Sequence, residues 1–536
     1  MVQTTLPVSL STKILAAAER HSRRDGGAKA IVLAEDQTQF LTYADFIEKS
    51  KKAATFFHKR GFGHEQVVCH IHSQPIEYFY GVVGAFMVGG TVCPADPKFT
   101  EYEIRNLLTA TKCSMVVINS DQIDKIQHLV KSCPDLKTII CINRDRITLP
   151  DNIFDWEDLL ETEAERLPHF DFSSSDVAFL PFSSGTTGGP KGVQVSHKQC
   201  IAAYENYISH AKKHFFSHIF EGKDDFGTVV PVVTPFNHMF ALGTTIINLL
   251  LGHTTLIFAQ RSIELILESI EKFKSPYMNI SPPFIVSIVK SDLHKKYDLT
   301  SLRLMMVSAA PLGKELGMEM IRLAPNLRVI QGYGSTECVF VTVANTLNDI
   351  ELGTYAIGIP LPNVRAKIVD LEGNLVQEGT RGELLIAGDN VMTGYLNNEK
   401  ATKVAFSGEW FHTGDVAVQL PSGDLMIVDR IKEMIKSRGI QVSPAEIEGL
   451  LISHKDISDC GVIGIPDQAV SERIIAYVVR SSPKLSEVEV LDFVKQNLAE
   501  YKWPARIIFE ETIPKSPAGK ILRRILKQKY EESFKN

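Results

Sequence analysis

The chain has 536 residues, 44% of them hydrophobic and 22% charged, with a formal net charge of −6. That length exceeds one hydrophobic core and predicts two or more domains, and the composition is that of an ordinary soluble globular protein. Residues 430–536 hold 18 Lys and Arg against 15 Asp and Glu, a net +3 that leaves −9 elsewhere; this suits a polyphosphate ligand and is too weak to argue for nucleic acid.

In chain order, the first residues (Met1 to Pro7) lack the basic region and apolar run of a signal peptide. Tyr43 to Arg60 has helical spacing through Phe46, Ala53, Phe56 and Phe57, and Gln66 to Ile71 reads as a strand. Tyr78 to Val88 is helical again, with Gly89-Gly90 as its C-cap. Short β runs recur at Met115–Ile118, Thr138–Ile142, Val229–Val233 and Leu304–Val307. Strands alternating with helices predict an α/β fold of parallel sheets with covered faces. Ligands of such sheets sit at strand C-termini, where Ser183 and Ser308 fall. The most apolar stretch, Phe240 to Ala259, is interrupted by Thr244, Thr245, Asn248, His253, Thr254 and Thr255. A membrane-spanning helix needs about 20 predominantly apolar residues, so a buried helix followed by a strand is the reading.

Residues 364–428 change character: Ala366–Asp370, Gly382–Ile386 and Asp424–Val428 are separated by Gly, Asp and Asn turns, as in a small β subdomain. Beyond Asp429-Arg430 the pattern is a compact α+β unit. Ser443-Pro444-Ala445-Glu446 is a capping box with proline at the first helical position, and Ile447, Leu450 and Leu451 supply the apolar face. No repeat or low-complexity linker separates the parts, so the boundary is a short hinge. Eight cysteines (69, 93, 113, 133, 141, 200, 338 and 460) are scattered without CxxC or zinc-like spacing. They read as reduced core thiols of an intracellular protein, except Cys338, which directly follows Tyr333-Gly334-Ser335-Thr336-Glu337. The chain ends Ser533-Phe534-Lys535-Asn536, not Ser-Lys-Leu. The expected location is cytoplasmic, with a peroxisome or another organelle as the alternative.

The densest chemistry lies in Phe182-Ser183-Ser184-Gly185-Thr186-Thr187-Gly188-Gly189-Pro190-Lys191-Gly192. Glycines let the backbone approach a ligand, and exposed N–H groups, hydroxyls and a lysine make a concavity for phosphate. The spacing is not that of P-loop NTPases, because Gly192 follows Lys191 where a metal-binding hydroxyl would stand. The run resembles the signature loop of the adenylate-forming superfamily: acyl-CoA synthetases, 4-coumarate-CoA ligases, beetle luciferases and peptide-synthetase adenylation domains. Six further blocks similar to that family follow in its order. They are Thr234-Pro235-Phe236-Asn237-His238, Ser308-Ala309-Ala310-Pro311-Leu312, Tyr333 to Glu337, His412-Thr413-Gly414-Asp415, Asp429 to Lys436, and Pro514 to Lys520.

The resemblance implies a large N-terminal domain (residues 1–429), a mobile C-terminal lid (430–536) and a hinge at Asp429. It implies ATP, Mg²⁺ and coenzyme A as ligands beside a small carboxylic acid. Lys520 would bridge carboxylate and α-phosphate. Ser183, Ser184, Gly185, Thr186, Thr187 and Lys191 would hold phosphates; Ala310 and Gly332 would border the nucleotide. Tyr333 would stack on adenine, Thr336 would bond phosphate, Asp415 would take the ribose hydroxyls with Arg430 assisting, and Glu337 would bind magnesium. His238 would lie near the carboxylate and then move aside. Lys436 would serve thioester formation, with Arg438 and Gly439 along the pantetheine path. Phe240, Thr244, Ser308, Cys338 and Val339 would wall the acyl pocket.

Read from the residues alone, Lys432 and Lys436 would share one face of a helix by their i, i+4 spacing. The His238 block lacks the Phe-Asp pair with which amino-acid-adenylating relatives hold an α-ammonium, so a substrate without a free α-amine is expected. Ser308 stands where relatives have glycine, and Phe240 and Ser308 would narrow the pocket, favouring aromatic or medium-chain acids over very long chains; Asp389 replaces a usual proline. An acid–CoA ligase that works through an acyl-adenylate is the leading reading. Transfer to a carrier protein, luciferase-like oxygenation of the adenylate, and a non-catalytic nucleotide-binding protein are the alternatives.

Overall fold

The computed structural model describes residues 9–73, 75–143, 145–165, 167, 173–183, 190–324, 326–348, 355–437, 440–467, 471–516 and 519–534. Four sheets organise them. In the first, Lys29–Leu33, Thr254–Ile257, Val229–Val232, Tyr277–Ile280, Leu304–Val307 and Arg328–Gly334 run parallel side by side. Antiparallel strands Phe40–Thr42 and Val341–Ala344 flank this block. The second sheet has a parallel block of Val177–Phe179, Thr91–Pro94, Val67–Ile71, Met115–Asn119, Thr138–Ile142 and Ile153–Asp155. It is extended antiparallel by Lys191–Ser196 and Gly394–Tyr395.

Both sheets are buried on both faces, as parallel strands require. Along Leu304–Val307 the side chains alternate: Leu304 and Met306 enter the central core, Met305 and Val307 the outer one. Helices Leu10–Arg24, Tyr43–Lys59, Pro75–Met87, His197–His214 and Met239–Leu251 contribute to the central core between the sheets. Ile263–Phe273, Pro282–Lys290 and Lys314–Leu323 cover the outer face of the first sheet; Glu101–Thr111 and Ile123–Leu129 cover that of the second. Tyr43–Lys59 shows why such helices form. Thr42 and Asp45 close a reciprocal capping box, and Phe46, Ala53, Ala54 and Phe57 recur at helical spacing with no exposed surface. Truncating Phe57 to Ala would cost about 3–5 kcal/mol.

The apolar stretch after His238 is a buried helix, Met239–Leu251, then the strand Thr254–Ile257. Among the described residues no helix is long and apolar enough to cross a membrane. Residues Val364–Val369, Gly382–Gly388, Trp410–Gln419 and Leu425–Arg430 form the core of an antiparallel third sheet. The fourth sheet, in the smaller C-terminal domain, is built on Ile457–Asp467 and Ser471–Arg480, with Arg506–Phe509 parallel at its side.

Two local expectations change. Lys432 and Lys436 do not share a helix face: Ile435–Ser437 is a strand paired with Ile440–Val442, and Lys436 projects to solvent between buried Ile435 and Ser437. The β-branched Ile435, Ile440 and Val442 favour the hairpin. The Ser443 box is half-made. Its hydroxyl accepts from the Glu446 N–H, but the Glu446 carboxylate pairs with Lys502 instead of returning to Ser443. All eight cysteines are free and buried.

Candidate active site

A cleft of about 330 Å³ lies between the C-terminal ends of the first sheet's strands and the C-terminal domain. Ser308 and Ala310 line it from the turn after Leu304–Val307, and Gly332 and Tyr333 from the end of Arg328–Gly334. Asp415 and Arg430 enter from paired positions of the third sheet, and Lys520 from the C-terminal domain. These seven sequence-predicted residues come together.

At their centre is Asp415, only 4% exposed. Its Oδ2 accepts from the Tyr333 hydroxyl at 2.6 Å and its Oδ1 from Arg430 Nε at 2.9 Å. Desolvation raises its pKa, opposed by the Arg430 charge and the Tyr333 bond. Thr413 Oγ1 accepts the Asp415 N–H at 3.1 Å and donates to the Leu384 carbonyl at 2.6 Å, which fixes the turn. Lys520 is open to water along the cleft yet sits deep between the two domains. Enclosure by protein lowers its pKa first, then the Arg430 charge, while Asp415, Glu337 and Glu433 oppose the fall.

His238 is the N-cap of Met239–Leu251 and uses no side-chain cap bond. Its pKa is lowered to about 4, by burial first and then by Lys520, so the imidazole is neutral near pH 7. Its Nε2 is buried with no partner. His238 is not among the cleft-lining residues, but it lies near enough to Lys520 for that ammonium to help keep the ring neutral, and the helix N-terminus behind it favours negative charge.

The predicted phosphate loop has its two described ends paired. Ser183 pairs with Lys191 across an antiparallel hairpin; Ser184, Gly185, Thr186 and Thr187 lie outside the described residues. Lys191 Nζ stands 4.8 Å over the Tyr395 ring, and the Tyr395 hydroxyl donates to Glu337 Oε1 at 3.1 Å. Thr336 and Glu337 lie on a short 3₁₀ turn capped by Ser335. Among the described residues no group of three or more His, Cys, Asp or Glu could hold a metal. A half-buried Glu337 carboxylate fits Mg²⁺ instead, which takes one or two carboxylates and completes its shell with phosphate oxygens and water.

The remaining predictions divide. Lys436 is exposed, with its N–H on Glu472, and is not among the cleft residues. Arg438 and Gly439 lie outside the described residues. Of the expected acyl wall only Ser308 lines the cleft. Thr244 is buried, donating to the Phe240 carbonyl at 2.8 Å and accepting from Asn279 at 3.0 Å. Cys338 is fully buried in the central core, a correction to its expected place on the pocket surface. Val339 is also buried and holds φ +69° and ψ −53°, with the Phe340 N–H bonded to the Cys338 carbonyl at 2.8 Å. That is a γ-turn strained for a β-branched residue.

Sequence reasoning missed Tyr395 and the contacts between the large and C-terminal domains. Lys290 Nζ donates to the His454 carbonyl at 3.1 Å across the domain boundary. Asp429 Oδ2 accepts from Ser443 Oγ at 2.6 Å and the Ala445 N–H at 3.1 Å. Tyr395 lies six residues past the noted Asp389, so adjacency was the available signal.

Comparison with known proteins places the family. The AMP-binding enzyme family matches residues 18–396, and the AMP-binding enzyme C-terminal domain matches 446–520. The chain is 35% identical over 499 residues to 4-coumarate–CoA ligase 1 of Arabidopsis thaliana, covering 91% of this chain and 87% of that protein. It is 33% identical over 505 residues to 4-coumarate-CoA ligase 1 of Narcissus pseudonarcissus, covering 92% and 90%. An anthranilate CoA ligase in complex with anthranoyl-AMP superposes with a TM-score of 0.89 at 22% identity, over 99% of each chain. The chain therefore belongs to the AMP-binding enzyme family, on the acid–CoA ligase branch of the adenylate-forming enzymes.

Proposed function

We propose that this AMP-forming acid–CoA ligase activates an aryl or medium-chain carboxylic acid through an acyl-adenylate. A carboxylate oxygen attacks the α-phosphorus of ATP, and the bond to pyrophosphate breaks. The CoA thiol then loses its proton, its sulfur attacks the acyl carbon, and the bond to the adenylate oxygen breaks with release of AMP. Both steps move negative charge onto oxygen, which fixed cations and oriented donors stabilise.

The observation that carries this reading is Lys520, which lines the same cleft as Tyr333, Asp415 and Arg430. Its ammonium would hold the carboxylate against the α-phosphate, with the neutral His238 imidazole on the carboxylate side. Tyr333 and Asp415 would take the adenosine, Arg430 releasing one Asp415 oxygen to the ribose. Ser183 and Lys191 would hold the phosphate loop's ends on the polyphosphate. A magnesium ion held by Glu337 would neutralise phosphate charge. Lys436 faces solvent, so the thioester step needs rotation of residues 430–536 about Asp429 to bring it inward. Relatives named as 4-coumarate–CoA ligases support the aryl side of the substrate range.

The test is ATP–pyrophosphate exchange across aryl, medium-chain and long-chain acids, with AMP release followed with and without CoA. Acid-dependent exchange and CoA-accelerated AMP release are expected. Exchange that ignores CoA would transfer the acyl group to another acceptor, and no exchange with any acid would overturn the proposal.

A further inference from the structure

The helix Pro282–Lys290 of the large domain meets the C-terminal domain at both of its ends. Near its start, a Cβ on Gly519 would stand 2.8 Å from Pro283 Cγ, so the turn that carries Lys520 packs directly on Pro283. At its last residue, Lys290 Nζ donates to the His454 carbonyl at 3.1 Å and to the Ile457 carbonyl. Seven residues of helix separate the two contacts, about 10–11 Å at ~1.5 Å per residue. His454 is the C-cap of the helix Pro444–Ser453, and Ile457 opens the strand Ile457–Asp467. Lys290 therefore places a cation at the negative end of a helix in the other domain, where the last carbonyls lack intrahelical partners. The Ile457 N–H also bonds the His454 carbonyl, at 3.1 Å, so the ammonium closes over a turn that is already formed.

We infer that Lys290 is a positioning residue for adenylation: by capping Pro444–Ser453 from across the domain boundary, it holds the C-terminal domain in the orientation that presents Lys520 to the cleft. The inference rests on the proposed ligase reading, in which Lys520 serves the first step and residues 430–536 turn before the second. The donor belongs to one domain and both acceptors to the other, so that rotation breaks both bonds. Lys290 thus favours one half-reaction and contributes nothing to the other. A hydrogen bond from a charged donor is worth about 10- to 100-fold in an equilibrium, and toward the low end for a side chain as open to water as Lys290.

The experiment compares the native chain with Lys290→Met, which keeps the stem and loses the charge, and Lys290→Arg, which keeps the charge. The first readout is the pair of half-reactions: pyrophosphate exchange, and thioester formation from presynthesised acyl-adenylate and CoA. Exchange should fall about tenfold in Lys290→Met and no more than about threefold in Lys290→Arg, while thioester formation holds within about twofold in both. A loss of general structure would lower both half-reactions together, and arginine would not rescue it. The second readout needs no turnover: hydrogen exchange of the backbone amides of residues 451–457 in the protein alone. These amides should exchange faster in Lys290→Met, with those of the first sheet unchanged. Equal loss in both half-reactions, or unchanged pyrophosphate exchange in Lys290→Met, overturns the assignment. A native chain that exchanges pyrophosphate with no acid fails the ligase reading, and the amides then decide Lys290 by themselves: faster exchange keeps the interdomain cap, unchanged exchange removes it.

Discussion

Gly519→Ala probes how the lid meets the large domain. Gly519 precedes Lys520 with φ +82°, and a Cβ there would lie 2.8 Å from Pro283 Cγ on the helix Pro282–Lys290. The left-handed backbone costs alanine about 1–2 kcal/mol. Stiffening of the unfolded chain offsets about 0.4–1 kcal/mol of that. Global stability should therefore fall by about 0–1.6 kcal/mol, visible as a small shift in a urea midpoint. The collision with Pro283 is different in kind, because it exists only while the lid is seated with Lys520 in the cleft. A proline ring on a packed helix does not swing aside, so the lid must lift. Overpacking of this sort costs about 1–3 kcal/mol, which is roughly a 5- to 160-fold loss in the step that needs the seated lid. Pyrophosphate exchange should fall by that factor, while thioester formation from presynthesised acyl-adenylate and CoA should hold within about twofold. Equal loss in both half-reactions, or unchanged exchange, would refute the reasoning.

Three further outcomes follow from the site and the core. Lys520→Ala should lose about 10²–10³ in adenylation and still thioesterify premade adenylate; near-normal exchange would remove Lys520 from that role. Tyr395→Phe deletes the donor to Glu337 but keeps the ring under Lys191. The Mg²⁺ needed for half-maximal exchange should rise about tenfold, as for loss of one charge-assisted bond, and an unchanged Mg²⁺ profile would refute the link. Acid should destabilise the fold through three buried histidines. Burial holds His70 at about 3 and His197 and His210 at about 4, and the Leu10 N–H donates to His197 Nδ1, which must stay unprotonated. These folded-state pKa values lie below the ordinary 6.5, so the stability they carry is full above pH 6.5 and is lost as pH falls toward 4. Each contributes about 1.4 kcal/mol per pH step, so roughly 4 kcal/mol should disappear between pH 7 and 5.5. Urea midpoints that stay level over that interval would contradict it.

Much of the chain was legible locally. The strands Thr138–Ile142 and Leu304–Val307 stand where β-branched and apolar runs end at turns, and the buried helix after His238 follows from its interrupted hydrophobicity. Glycines and hydroxyls at fixed spacing marked the phosphate loop, because backbone geometry is set by near neighbours. The residues that converge on Asp415 were named by the family resemblance of their blocks, not by local geometry. The structure alone decided how the groups share partners: Tyr333 and Arg430 on separate oxygens of Asp415, Tyr395 joining Lys191 to Glu337, and Phe340 filling the space beside Gly243. Each contact joins residues from different strands or helices, whose meeting depends on sheet order and packing depth. The Lys432–Lys436 reading failed for the same reason. Helical spacing is a local permission, and pairing of Ile435–Ser437 with Ile440–Val442 and the fourth sheet overrode it by burying Ile435 and Val442.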